Sequence, residues 1–170
     1  MKLRELPDGS TILVDTSVLL YARNSRSSQC RELLVRCEHG VVTGVITLTI
    51  VAEFNHRCMI QEARAKGLVA SNPARALSER PDLVRRLSVY SDSVRDLLDC
   101  ALVVAEPTPQ DFHVALELQK QHGLLTNDSL NLAIARRHGI KDIATADNGF
   151  DRVPRLNVYK PEDIPFADPV

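Results

Sequence analysis

The chain has 170 residues, of which 44% are hydrophobic and 25% charged, as is typical of one globular domain large enough to bury a core. No apolar stretch approaches the ~20 residues of a membrane-spanning helix, and the first residues lack the apolar core of a signal peptide. The formal net charge of −1 gives no general sign of nucleic-acid binding, and the 4% aromatic content argues against a base-stacking platform. We therefore expect a cytoplasmic protein with no membrane association.

The cysteines give no sign of a metal site. Cys30, Cys37, Cys58 and Cys100 form no CxxC pair, and no His stands at zinc-ligand spacing from them. Three of them fall in helical patterns, and Cys100 lies between a helix and an apolar run. We expect buried thiols.

The first predicted elements are a strand, a helix and a second strand. Residues 11–14 (TILV) have the apolar character of a short buried strand. A polar stretch at 23–28 separates this strand from a helical pattern at 29–39, which ends at Gly40. Residues 41–46 (VVTGVI) are rich in Val and predict the second strand.

A long helix is predicted after the second strand. Thr47 or Thr49 can cap its start, and it runs to Lys66 before Gly67 stops it. Residues 71–81 (SNPARALSERP) contain two prolines and predict a loop.

The middle of the chain returns to helical periodicity at residues 82–99. The apolar run at 101–105 (ALVVA) predicts the third strand. Thr108 then offers a strong helix start, because Pro and Asp follow it in the first turn. This helix is expected to end at Gly123.

The last predicted elements are a helix and two strands. The helix begins at Asn127 or Asp128 and ends near Gly139. Residues 141–145 predict the fourth strand, and residues 156–159 a fifth at an edge of the sheet.

Strands that alternate with helices predict the fold class α/β. We expect an α/β/α sandwich whose central sheet is mainly parallel and has about five strands. Residues 1–170 are expected to form a single domain, with a helical arm at 67–99 and an irregular tail at 160–170 that packs as a cap or frays. In such sheets ligands bind beyond the carboxyl ends of the strands, near a switch in strand order.

Acidic residues abut or interrupt four of the apolar runs. They are Asp15, Glu53, Asp128 and Asp147. A lone carboxylate in such a place costs free energy unless it is paired or binds a cation. Two of these acids directly follow predicted strands and two lie in helices next to strands, so all can reach the same edge of the sheet. Their mutual repulsion there favours a hard divalent ion, Mg²⁺ or Mn²⁺, and hence chemistry on phosphate esters.

Each acid also has a simpler explanation. Asp15 and Asp128 could cap helices, as Asp residues often do. Asp147 could be a turn residue in the sequence ADNG, and Glu53 could face solvent from the middle of its helix. Only their joint occurrence favours a common metal site.

Four segments resemble the PIN-domain nucleases, and especially the VapC-type toxin ribonucleases of toxin–antitoxin systems. The segments are VDTSVLLY at 14–21, VAEF at 51–54, NDSLNLAIA at 127–135 and IATADNGFDRV at 143–153. They stand in the family's order and span nearly the whole chain. The resemblance implies an endoribonuclease that hydrolyses RNA phosphodiester bonds.

The resemblance also implies roles for individual residues. The four acids Asp15, Glu53, Asp128 and Asp147 would be catalytic and would hold one or two Mg²⁺ or Mn²⁺ ions.

Four further residues would support the acids. Ser17, Thr145 and Asn148 would orient carboxylates or bound water. The family often carries an acid at the place of Asn148, and Asp151 is a candidate substitute for that charge.

The family implies partners as well. A cognate antitoxin would restrain the enzyme, and two copies would form a homodimer through apolar helix surface at 48–66 or 82–99. Two other functions remain open. A non-catalytic PIN-like module would bind RNA or protein, and a metal-dependent phosphoesterase would act on DNA or another phosphate ester.

Overall fold

The core of the fold is a five-stranded sheet in which all neighbouring strands are parallel. The strands are β1 (Thr11–Val14), β2 (Thr43–Thr47), β3 (Val103–Ala105), β4 (Asp142–Ala144) and β5 (Asn157–Tyr159). They lie in the order β3-β2-β1-β4-β5. The computed structural model describes residues 1–164, and residues 165–170 of the predicted tail lie outside the described part. The predicted α/β class and parallel sheet, flanked by helices, are confirmed.

Helices fill the connections between the strands. They are α1 (Thr16–Arg23), α2 (Ser28–Glu38), α3 (Leu48–Ala65), α4 (Pro73–Glu79), α5 (Pro81–Val84), α6 (Val89–Asp99), α7 (Pro109–His122) and α8 (Thr126–Arg137). Short 3-10 turns occur at Leu3–Glu5 and Gly149–Arg152. None of the helices within residues 1–164 combines the length and apolar character needed to cross a bilayer.

Three helical regions differ from the predicted elements. Helix α1 was anticipated only by the alternative in which Asp15 caps a helix. Its residues from Val18 to Ala22 are all buried, and a helix apolar all round has no polar face to reveal its period. The predicted loop at 71–81 is wrong: it contains α4 and the start of α5, each with a proline in its first turn, where proline is tolerated. The predicted helix at 82–99 is broken, and α6 starts only at Val89.

The chain forms two compact units. Within the described residues, one comprises Met1–Val51 and residues 101–164, and it contains the whole sheet. The other is Ala52–Cys100. The description of residues 1–170 as a single domain with a helical arm stays a prediction.

The unit Ala52–Cys100 has its own small core. Ala63, Leu77, Leu83 and Leu87 are buried together, so helices α3, α4 and α5 contribute to one apolar cluster. Burying these side chains is the main favourable term available to such a small unit.

A buried carboxylate fixes the start of α6 in this unit. Glu62 of α3 accepts hydrogen bonds from the backbone N–H groups of Ser88 and Tyr90, both at 2.9 Å, and from Lys66 Nζ at 2.6 Å. Ser88, the N-cap residue, makes no capping bond with its own side chain. Glu62 therefore supplies the cap from another helix, which explains the break before Val89.

A second buried carboxylate joins α7 to α8 in the sheet-containing unit. Asp111 is 2% exposed and forms a capping box with Thr108, as the predicted helix start requires. Its carboxylate also accepts from Arg137 Nε at 2.9 Å, and Arg137 Nη2 donates to the carbonyl of Glu106. This ion pair sets the packing of the two helices that precede β4.

The described part of the predicted tail is anchored. Asp163 accepts hydrogen bonds from the Ser27 hydroxyl at 2.6 Å and from the backbone N–H of Ser28 at 2.7 Å, at the start of α2. An acid at this end of a helix satisfies unpaired N–H groups and the helix dipole.

The cysteines follow the prediction with one exception. Cys30, Cys37 and Cys58 are buried, and none of the four cysteines forms a disulfide. Burial raises the pKa of the Cys30 thiol to about 11. Cys100 is exposed, contrary to the prediction, because it stands at the C-terminal end of α6, where its thiol donates to the carbonyl of Leu97.

Candidate active site

The strand order reverses between β1 and β4. From β1 the chain adds β2 and β3 on one side, and β4 and β5 lie on the other. Val14 is paired with Ala144 at the carboxyl ends of the two strands, and the Asp15 N–H donates to the Ala144 carbonyl at 3.0 Å. This is the switch point at which open α/β sheets bind ligands.

Asp15 is held at this point by two hydroxyl groups. Ser17 Oγ donates to Asp15 Oδ2 at 2.6 Å, and Thr145 Oγ1 donates to the same oxygen at 2.7 Å. Asp15 occupies the N-cap position of α1, but its side chain makes no capping hydrogen bond. The simple capping explanation therefore fails for this residue.

The same hydroxyls also fasten the loop that follows β4. Ser17 Oγ accepts from the Ala146 N–H at 3.0 Å, and Thr145 Oγ1 accepts from the Asp147 N–H at 3.0 Å. Thr145 is fully buried. Each hydroxyl thus both orients the Asp15 carboxylate and satisfies a backbone donor, so the two chain segments are fixed relative to each other.

Asp147 is exposed and lies at the start of a turn. Its Oδ1 accepts from the Gly149 N–H at 3.0 Å, the pattern of an Asx turn. The prediction that Asp147 could be a turn residue is therefore correct for its Oδ1. The backbone bond to Thr145 nevertheless places Asp147 beside the Asp15 network.

Asn148 and Asp151 are engaged elsewhere. Lys160 Nζ, at the end of β5, donates to Asn148 Oδ1 at 2.6 Å and to Asp151 Oδ2 at 2.5 Å. The ammonium group therefore offsets the charge that Asp151 was expected to contribute. No hydrogen bond joins either residue to Asp15 within residues 1–164.

Asp128 stands in the first turn of α8 and is half-buried. The N-cap residue is Leu125, which makes no side-chain cap, so neither Asn127 nor Asp128 begins the helix as predicted. An acid in the first turn interacts favourably with the helix dipole.

Glu53 belongs to the unit Ala52–Cys100. Its carboxylate lies 3.8 Å from Arg57 Nε, one turn further along α3, and its side chain is 30% exposed. Within residues 1–164 no three His, Cys, Asp or Glu side chains are grouped closely enough to hold a metal ion in this structure, so the four-acid cage stays a prediction. The donor type nevertheless fits, since Mg²⁺ and Mn²⁺ prefer carboxylate oxygens.

A buried polar cluster between α8 and the start of α3 was missed by the sequence reasoning. Asn131 Oδ1 accepts from the Thr47 hydroxyl at 2.6 Å and also from the hydroxyl of Thr49. Thr47 accepts in turn from the Ile50 N–H and thereby caps α3, one of the two caps predicted. The available signal was Asn131 itself, an amide inside the apolar run LNLAIA, where it needs partners.

The cluster ties α8 to the start of α3. Asn131 follows Asp128 by three positions in α8, and Thr49 precedes Glu53 by four positions in α3. Residues at these spacings share a helix face. Asn131 therefore lies on the same face of α8 as Asp128.

Comparison with known proteins identifies the class. The model of the PIN domain matches residues 12–156. The chain belongs to the PIN-domain family, a family of nucleases. No match was found among curated protein sequences.

Solved structures with this fold share little sequence with the chain. A chain of VapBC2 from Rickettsia felis, crystallised with a DNA fragment from the promoter, is 18% identical with a TM-score of 0.55, covering 88% of this chain and 98% of that one. A toxin–antitoxin complex from Klebsiella pneumoniae gives 18% identity and a TM-score of 0.56, with 90% and 99% covered. VapC20 from Mycobacterium tuberculosis, a toxin that cleaves the sarcin–ricin loop, gives 16% and 0.56, with 84% and 95% covered.

Proposed function

We propose that the protein is a divalent-metal-dependent endoribonuclease that hydrolyses RNA phosphodiester bonds and acts as the toxin of a toxin–antitoxin pair. The observation that carries the proposal is the carboxylate of Asp15, fixed through Oδ2 by Ser17 and Thr145 at the switch point of the sheet. The family match and the toxin structures that share the fold support the choice of nuclease chemistry.

The acids would hold Mg²⁺ or Mn²⁺. Asp15 is the central ligand in this proposal, and Asp128, Asp147 and Glu53 complete the set. When bound, the metal would neutralise phosphate charge and lower the pKa of the attacking water. The hydroxyls of Ser17 and Thr145 both donate hydrogen bonds to Oδ2 of Asp15. Neither of these two hydrogen bonds involves Oδ1.

The remaining residues act by positioning. Ser17 and Thr145 restrict rotation of the Asp15 carboxylate. The side chain is therefore already ordered before the substrate binds. Thr145 also fixes the backbone at Asp147, and the Asx turn to Gly149 limits the orientation of that second acid. Rigid placement of carboxylates favours catalysis, because groups already oriented do not have to reorganise in the transition state.

The proposed partners rest on the solved structures that share this fold. The chains with similar folds come from complexes described as toxin–antitoxin or VapBC assemblies. We therefore propose a cognate antitoxin that blocks the acidic site, a homodimer and a cytoplasmic location.

The test is cleavage of a pool of transfer and ribosomal RNA with Mg²⁺ or Mn²⁺. Wild-type protein should give discrete products that disappear with EDTA and in Asp15→Asn. Asp8→Asn is the matched control, because the Asp8 side chain is 81% exposed and pairs with Arg36 at the surface. Full activity in a folded Asp15→Asn protein would remove the proposal. If wild type neither cleaves RNA nor binds Mn²⁺ in calorimetry, the non-catalytic binding module becomes the better description.

A further inference from the structure

A groove with basic walls lies away from the acidic site. It is formed by the end of α8, the connection into β4 and the segment that precedes β5, all within the sheet-containing unit. Its volume is about 330 Å³, within the range of small-ligand sites. Lys141 immediately precedes β4, so the groove is at the amino end of the strands and the Asp15 network is at their carboxyl end.

Three cationic side chains line this groove without partners. Arg136, Lys141 and Arg155 are exposed, and within residues 1–164 none of them forms an ion pair or a side-chain hydrogen bond. No Asp or Glu is among the lining residues. The dipole of α8 accounts for an arginine at position 136, in the last turn, but not for the other two cations.

The floor of the groove is apolar. Leu132, Ile140 and Val153 are buried beneath it. A low-dielectric floor strengthens the attraction between the basic walls and an anion, because the field is less screened there than over open solvent.

Arg155 is held in a backbone conformation that is unfavourable for it. Its φ is +62°, in the left-handed region that favours Gly, and Pro154 precedes it in a turn. A non-Gly residue in this region costs free energy, and such positions cluster at functional sites. Arg155 therefore makes this turn less stable than Gly would at the same position.

We infer that this groove, defined by Arg136, Lys141 and Arg155, is a second binding site that takes the backbone phosphates of a single RNA strand. The inference that the ligand is RNA rests on the proposed function, whereas the unpaired basic groove itself does not. The site lies apart from the acids, so it holds the substrate strand rather than the bond that is cleaved. Its loss should therefore weaken binding and leave the chemical step unchanged.

The binding test uses a fluorescein-labelled, mixed-sequence 12-nucleotide RNA and fluorescence anisotropy from low to high salt. All proteins carry Asp15→Asn so that the RNA stays intact. Adding Arg136→Gln and Arg155→Gln should weaken binding roughly tenfold at low salt, and should reduce the slope of log Kd against log salt by ~1.4, since each phosphate contact contributes about 0.7.

Two further variants separate binding from folding. Arg31→Gln with Lys120→Gln removes the same charge from exposed helix positions outside the groove and should leave the salt slope unchanged. Arg155→Gly relieves the positive φ, so it should keep or raise the Tm while it weakens RNA binding. If Arg155 acted only on the structure of the turn, Arg155→Gly would not weaken RNA binding while the Tm is kept or raised.

The outcomes also separate this proposal from the proposed function. In the cleavage assay, groove variants with Asp15 intact should show a raised KM and an unchanged kcat. An unchanged KM and salt slope in an active enzyme overturns the groove and leaves the nuclease standing. RNA binding that depends on the groove in a protein that does not cleave supports the groove alone. A groove that instead binds a labelled polyglutamate peptide and not RNA overturns the assignment.

Discussion

Thr145 donates a hydrogen bond to Asp15 at 2.7 Å, although the two residues are 130 positions apart in the chain. The contact exists because β1 and β4 are neighbours in the sheet and both residues directly follow their strands. The same hydroxyl accepts from the backbone of Asp147. One buried side chain thus connects the two acids on either side of the switch in strand order.

Replacing Thr145 with Val tests this connection. The change keeps the shape of the side chain but removes the hydroxyl, leaving the Asp147 N–H without its acceptor. We expect a loss of about 1–2 kcal/mol in the free energy of unfolding, measured by urea denaturation, together with reduced cleavage. Thr145→Ser keeps the hydroxyl and should retain most of the activity. Equal activity in the Val and Ser variants would contradict the orienting role.

Metal affinity should distinguish Asp15 from Asp151. Asp15→Asn should weaken Mn²⁺ binding roughly tenfold or more in titration calorimetry, because a ligand or its immediate support is lost. Asp151→Asn should change the affinity by less than about twofold, because Lys160 already offsets this exposed carboxylate. A large effect of Asp151→Asn would show that this acid does substitute for the charge absent at Asn148.

Glu62 should make the unit Ala52–Cys100 sensitive to acid. Burial by itself raises the pKa of this carboxyl, but hydrogen bonds from Lys66, Ser88 and Tyr90 outweigh it and lower the pKa to about 2, from 4.5. A lowered pKa in the folded state means that the stabilisation is fully present above pH 4.5 and is lost as the pH falls towards 2. The shift corresponds to roughly 3 kcal/mol at neutral pH.

Hydrogen exchange of α6 at several pH values measures this effect. At pH 7, Glu62→Gln should speed exchange of the first amides of α6, whereas Glu79→Gln, in an exposed pair with Arg75, should not. The Glu62→Gln protein should also lose much of the change in exchange protection that wild type shows between pH 5 and pH 2. Identical pH dependence in this variant and in wild type would contradict the capping role.

Asp111→Asn should destabilise the sheet-containing unit. Burial raises the pKa of Asp111, but the bonds from Arg137 and Thr108 outweigh it, so the net shift is downward and the group is held ionised. Removing its charge leaves Arg137 only partly compensated, and we expect a loss of about 2–3 kcal/mol in urea denaturation at pH 7. Glu117→Gln, which alters an exposed pair with Lys120, should change stability by less than about 0.5 kcal/mol.

The sequence by itself determined the fold class and most of the elements. Short apolar runs produced all five strands within about two residues of their observed bounds, and Gly40, Gly67 and Gly123 ended helices where the pattern required. These features depend on the chemistry of neighbouring residues, which a linear pattern records. Because strand ends in a parallel sheet share one edge, the sequence also predicted that Asp15 and the segment after β4 would meet.

The tertiary structure alone decided how the polar side chains are paired. It joined Thr145 to Asp15, gave Asn148 and Asp151 to Lys160, and used Glu62 to cap a helix 26 positions further along the chain. Such pairs depend on strand register and helix packing, because a hydrogen bond tolerates only a few tenths of an ångström and a limited range of angles. The sequence could therefore place Asp15 at the end of a buried strand, whereas the fold determined its partners and made Glu62 and Asp111 the buried carboxylates.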